Sequence, residues 1–169
     1  GGQWIGGSQD AIYKLIDDMG IGTFPTLTAG RSVYLAGGGR LEEDMGGEFG
    51  VSPTMRPVVD ELDALAKTVP SGAAWTAPNA KALDQQNYYD WTVAKGVDPL
   101  DLFSLESGAT LTNGSHPRKV SLLYFLSMLN FADGWDNLEG FEFGGQKDRI
   151  QGGSQWVSQR IAQSLGERL

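Results

Sequence analysis

Few residues in this chain are of types that do chemistry, and their spacing narrows the field. The single histidine, His116, sits in a polar stretch just ahead of Pro117. A Ser-His-Asp triad would need it beside a nucleophile on a strained turn, and the sequence has no Gly-x-Ser-x-Gly elbow. One histidine and no cysteine exclude thiol catalysis, Cys-zinc sites and a His-rich metal site. The acidic pairs Asp17-Asp18, Glu42-Glu43 and Asp60-Glu61 invite a paired-carboxylate reading, which needs two carboxylates flanking one bond. Adjacent residues on a helix point in different directions, so the pairs read as solvated faces. Gly37-Gly38-Gly39-Arg40 has the composition of a phosphate loop. Glu42, Glu43 and Asp44 follow at once and would repel an anion, so the run reads as a hairpin tip or loop.

Uncharged groups offer two further candidates. Gln146 follows Gly144-Gly145. A neutral amide after a flexible pair can orient a polar substrate in an apolar pocket, the plainer alternative being an exposed loop glutamine. Five tryptophans and five tyrosines are enough to line a sugar or amine site, although core packing is their ordinary use. Trp4 stands apart because it lies beside Gly1-Gly2, where backbone can approach a ligand closely.

The elements that must position these groups are legible from periodicity. Ser8 is a suitable N-cap for a helix with Ile12, Leu15, Ile16 and Met19 at helical spacing, ended by Gly20. Thr23–Thr28 and Ser32–Leu35 are β-prone and separated by Ala29-Gly30-Arg31, which predicts a hairpin. Residues 37–50 read as loop. Ser52-Pro53 or Arg56-Pro57 opens a second helix bearing Val58, Val59, Leu62, Leu65 and Ala66 on one face, with Pro70 as its stop. Short helices are predicted near 79–86, 87–95 and 98–106, then a polar loop over 110–117. Residues 120–130 are apolar nearly all round and predict a central helix. Residues 134–145 read as irregular. Arg149-Ile150-Gln151 predicts a short strand, and Ser154 caps a last helix with Val157, Ile161 and Leu165 on one stripe.

Composition sets the outer bounds. The 169 residues suit one domain of ordinary size, with a core large enough to be stable. The formal net charge of −8 argues against nucleic acid and anionic membranes as partners. The longest apolar run, Leu122–Phe131, is about half of the ~20 residues a membrane span needs. The first residues lack a basic start followed by an apolar stretch, so no signal peptide is expected; the chain reads as soluble, and its compartment, cytoplasmic or periplasmic, stays open. Glycine is the outlier, at 24 residues, about twice the usual ~7% share. Strands do not alternate with helices, so a complete doubly wound sheet is not expected.

Taken in order, five stretches resemble the flavin-containing amine oxidase family, the monoamine oxidase and L-amino-acid oxidase group. They are Gly1-Gly2-Gln3-Trp4-Ile5-Gly6 with the helix ending Met19-Gly20-Ile21, and Leu62–Pro78 with its Ala74-Trp75-Thr76-Ala77-Pro78 connection. Asp84–Trp91, the helix at Ser121–Leu126, and Gly144-Gly145-Gln146 running to Gly152-Gly153-Ser154 complete the set. The resemblance implies an α+β, mostly helical fold. Residues 1–50 would be the edge of a flavin-binding lobe, 51–143 a helical substrate-binding lobe, and 144–169 a return segment towards the flavin.

The same resemblance implies FAD as cofactor and oxidative deamination of a primary or secondary amine, or an L-amino acid, to an imine with hydrogen peroxide. Gly1, Gly2, Gln3 and Trp4 match the segment that runs along the flavin. Gln146 matches the substrate-site glutamine, and Leu111 and Leu138 fall at cavity-wall positions. Glu139 falls where monoamine oxidases carry an apolar gate. That departure and the polar 110–116 stretch point to a more polar amine or an amino acid. No residue is expected to be the catalytic lysine, which in the family lies beyond this segment. The chain would act with the remaining segments of the same flavoenzyme, a homodimer being allowed, and would be inactive alone. Two other readings stand beside it: a non-catalytic acidic helical interaction module, and a related flavin dehydrogenase or desaturase.

Overall fold

The structure is a computed structural model and describes residues 2–36, 39–44 and 51–168. In chain order its elements are β1 (Trp4–Ile5), α1 (Asp10–Asp18), β2 (Thr23–Pro25), β3 (Arg31–Ala36), β4 (Gly39–Asp44), α2 (Arg56–Ala66), α3 (Ala80–Gln85), α4 (Tyr88–Val93), α5 (Pro99–Asn113), α6 (Leu122–Phe131), α7 (Trp135–Glu139), β5 (Asp148–Ile150) and α8 (Gln155–Leu165). The fold is α+β and mostly helical. It divides into two compact units, one from Gly1–Phe49 and Asp136–Leu169, the other from Gly50–Trp135.

In the first unit β5 is the middle strand of an antiparallel sheet ordered β1-β5-β2. Its register pairs Arg149 with Trp4 on one side and Phe24 on the other, and Asp148 with Ile5 and Pro25. Successive side chains alternate across a sheet. Ile5 and Ile150 therefore face inward, while Trp4, Arg149 and Phe24 stay exposed. Ile16, Ile21 and Val157 complete the buried cluster, and Ile12, Tyr13, Leu15, Met19 and Ile161 pack around it.

The α1 periodicity is as the sequence predicts, and Gly20 ends the helix with φ of +64°. The cap differs. The N-cap is Gln9, not Ser8, and its side-chain Oε1 accepts the Gly6 N–H at 3.1 Å. The long amide thus ties the helix start back to the turn after β1, which a serine hydroxyl is too short to do.

The hairpin also differs from expectation. The 23–28 and 32–35 runs do not pair. Thr23–Pro25 joins β5, and β3 pairs with β4 from Arg31–Asp44 to Ala36–Gly39. The acidic stretch expected as loop is therefore strand as far as Asp44. Glu42 forms ion pairs with Arg31 at 2.9 Å and with Arg40, and these opposite charges across and along the ladder compensate for glutamate's poor fit to a strand. Gly37 and Gly38, of the run with a phosphate loop's composition, lie outside the described residues, as do residues 45–50.

The second unit is helical. α2 opens at Arg56 with Pro57 in its first turn and buries Val58, Val59, Leu62 and Ala66. It ends at Ala66, four residues before Pro70. α6 is central in this unit, packed against α2, α3 and the single turn at Ala74–Thr76. The Ser121 hydroxyl caps α6 by accepting the Tyr124 N–H at 3.1 Å. Leu122, Phe125, Leu126 and Leu129 are all but inaccessible. Phe125 stacks on Tyr88 with ring centroids 4.0 Å apart.

α5 runs to Asn113, well past the predicted end near 106. Its C-terminal half remains helical with Ala109 buried, and its polar side chains turn back on the helix's own carbonyls. Thr110, Thr112 and Asn113 donate to the carbonyls of Glu106, Gly108 and Ala109 at 2.7, 2.8 and 2.7 Å. At its start the buried Asp101 carboxylate accepts from Ser52 and Thr54 hydroxyls at 2.8 and 2.6 Å. Residues 134–145, read as irregular, contain the short helix α7. Among the described residues no helix is long and apolar enough to cross a membrane.

Candidate functional site

Glycine fixes the backbone of the first unit's site. β1 leads into Gly6, where an added Cβ would lie 2.9 Å from the Gly145 Cα. Gly7 donates its N–H to the Gly144 carbonyl at 3.3 Å. At Gly144 a Cβ would lie 2.5 Å from the Asn137 carbonyl oxygen, a distance no side chain tolerates. The turn after β1 meets here two segments from near the other end of the chain, the end of α7 and the Gly-Gly-Gln stretch that follows it. Only glycine allows backbone to approach backbone this closely.

Gln146 enters this cluster with its backbone already fixed. Its N–H donates to the Gly140 carbonyl at 3.0 Å, and Gly145 donates to Asn137 at 2.5 Å. The Gln146 side chain donates from Nε2 to Glu139 Oε2 at 3.4 Å. Both residues are half-buried. This long bond orients the amide so that Oε1 remains an acceptor beside a carboxylate. An amide oxygen so placed can accept an N–H.

Gly2, Trp4, Ile5, Ile12, Ile150 and Ser154 contribute to an open, largely apolar depression of about 540 Å³ at the β1 edge. Trp4 is 41% exposed, and an added Cβ at Gly2 would meet nothing within 4 Å. Gln3 accepts at Oε1 from Arg149 Nη2 at 2.7 Å, which ties the β1 entry to β5. Gly1 lies outside the described residues.

The structure brings Gln146 together with Glu139, and Leu138 with them through its carbonyl, 3.2 Å from where a Gly145 Cβ would sit. Leu111 belongs to the other unit, on α5, where its side chain is 85% exposed. His116 is exposed, accepts the Arg118 N–H at Nδ1 and lies beside the Tyr89 ring. Among the described residues no group of three or more acidic or histidine side chains is arranged to hold a metal.

Two residues beside this site, Tyr13 and Asp148, are joined by a bond that the sequence pattern does not announce. Tyr13 donates its hydroxyl to Asp148 Oδ2 at 2.5 Å across a separation of 135 residues. Burial, then the hydrogen bond and charge of Asp148, push the Tyr13 hydroxyl up to about 12. The only hint was Tyr13's place next to Ile12 on the apolar side of α1.

No family model matches the chain. Individual proteins do, over essentially its whole length. It is 30% identical over 174 residues to a putrescine oxidase of Kocuria rosea, covering 99% of this chain and 36% of that protein. It is 28% identical over 183 residues to the flavin-containing amine oxidase A of Bos taurus, covering 100% of this chain and 33% of that protein. A solved putrescine oxidase bound to putrescine shares its fold with a TM-score of 0.81 and 27% identity, covering 99% of this chain and 38% of that one. The chain thus spans little more than a third of the proteins it matches. Its similarity to the flavin-containing amine oxidases runs throughout, and it is consistent with a middle segment of such a protein.

Proposed function

On the strength of that kinship, we propose that the chain is one part of an FAD-dependent amine oxidase. Residues 1–50 and 144–169 serve the flavin side and residues 51–143 the substrate side, and the other segments of the same enzyme complete both. One observation carries the reading: sequence and fold both match amine oxidases from one end of the chain to the other.

The residues present suit the edge of a flavin ring. The depression at β1 is largely apolar, the indole of Trp4 offers a flat wall, and the space around Gly2 is open. A planar, partly apolar heterocycle needs such a surface. FAD, when bound, supplies the two-electron acceptor for oxidising the carbon next to the amine nitrogen. The chain's own residues bind and orient. The Gly2-Gln3 backbone approaches the cofactor, and Trp4 shields it from water. Gln146 Oε1 accepts an amine N–H, and Glu139 holds Gln146 in place and attracts a cationic group.

Glu139 favours an amine over an amino acid, because its carboxylate repels the substrate carboxylate an amino acid would bring. A substrate with a second ammonium group gains most from it. The test uses the protein that carries this chain, purified and then denatured. Released flavin, together with hydrogen peroxide formed from putrescine in the native sample, is the expected result. A colourless protein that releases no flavin sinks the reading.

A further inference from the structure

The strand that follows Gln146 is anchored by one side-chain bond from outside the sheet. Lys147 is fixed by its carbonyl, which accepts the Thr26 N–H at 2.8 Å. Asp148 pairs in register with Ile5 of β1 and Pro25 of β2, and its side chain lies on the inner face, where the α1 hydroxyl of Tyr13 reaches it at 2.5 Å. A carboxylate on the inner face of a small sheet needs a donor, or it disrupts the packing around it. Tyr13 is that donor. Ile12 and Leu15 pack α1 against the sheet, and so keep the phenol in place.

We propose that Tyr13 is a positioning residue for the amine site: through Asp148 it fixes the start of β5, and hence the placement of Gln146 two residues earlier. The proposal rests on the reading of Gln146 as the amine-binding group. Tyr13 acts through Asp148 and not on the substrate. It sets how firmly the chain between Gly144 and Asp148 is held. That stretch is otherwise secured by backbone bonds to Gly7, Thr26, Asn137 and Gly140.

Tyr13→Phe removes one hydroxyl and keeps the ring, so the α1 packing survives. Two readouts on the full protein test the proposal. Backbone hydrogen exchange across residues 146–149 needs neither cofactor nor substrate. The expected result is about tenfold faster exchange there, the scale of losing one hydrogen bond to a charged group, with α8 unchanged. In steady-state kinetics, kcat/KM for an amine falls about tenfold at unchanged flavin content. Asp148→Asn, whose side-chain oxygen still accepts the tyrosine hydroxyl but without the charge, lies between wild type and Tyr13→Phe in both readouts, whereas Asp148→Ala behaves like Tyr13→Phe. A lower melting temperature with unchanged exchange at 146–149 and unchanged kcat/KM would show a structural tie alone and overturn the proposal. Faster exchange in a protein that binds no flavin would preserve the anchoring and overturn only the role assigned to Gln146.

Discussion

At the residue scale, the chemistry comes down to which groups hold a proton or a charge. Glu139 and Gln146 are the case for substrate. A carboxylate that both holds the amide and draws a cation should matter most for a doubly charged amine. Glu139→Gln in the full protein is therefore expected to lower kcat/KM about tenfold for a diamine and less than about threefold for a monoamine, since a charged hydrogen bond carries about 1.5–3 kcal/mol. Equal losses for both amines would remove Glu139 from recognition of the second ammonium. Tyr13 gives a prediction of a different kind. Its hydroxyl is raised to about 12 in the fold and ionises near 10 in the unfolded chain. Between those values the folded state holds a proton that the unfolded state has released. Its contribution to stability is complete below about pH 10 and is lost as pH rises through about 12. Urea midpoints measured across that window should fall with pH, and Tyr13→Phe should flatten the fall.

At the element scale, packing separates helices that look alike in sequence. α6 keeps Leu126 with no accessible surface. Leu126→Ala should cost about 2–5 kcal/mol by leaving a cavity, while Leu111→Ala on exposed α5 surface should stay within about 0.5 kcal/mol. Chemical denaturation of both variants checks the contrast. The same comparison explains what the sequence makes legible. α1, α2 and α6 announce themselves because their apolar residues recur at helical spacing and the stops are glycine or nearby proline. The second half of α5 does not, because Thr110, Thr112 and Asn113 are residues that favour turns when their side chains face water. Here those side chains bond the carbonyl four residues back, and propensity alone has no means of showing this. β4 hides for a related reason. Glu42 becomes a strand residue through Arg31 and Arg40, and one of those charges sits on the partner strand.

At the scale of the whole molecule, what is local could be read and what is distant could not. Trp4 and Gln146 stand out by the glycine pairs beside them, and the ordered resemblance to flavin-containing amine oxidases gives those glycines a use. The match to Kocuria rosea putrescine oxidase and to solved oxidase structures supports that order over nearly every residue. The meeting of Gly6 with Gly145, the bond from Tyr13 to Asp148, and the tie from Arg149 to Gln3 each join residues more than a hundred positions apart. No window along the chain contains both partners.

The sheet order β1-β5-β2 has a consequence for how the protein comes to exist. The middle strand is the last of the five described strands to leave the ribosome, after the whole stretch from Gly50 to Trp135. Until it arrives, β1 and β2 have no strand between them, and the inward faces of Ile5 and Ile21 have no Ile150 to meet. Contacts of such long sequence separation form slowly, because a large loop must close first. The sheet that holds Gln146 in place is therefore completed only after the helical unit between its strands has been made. A nascent chain stalled before Asp148 would carry two bare strand edges, which is the condition under which newly made proteins stick to one another or require a chaperone.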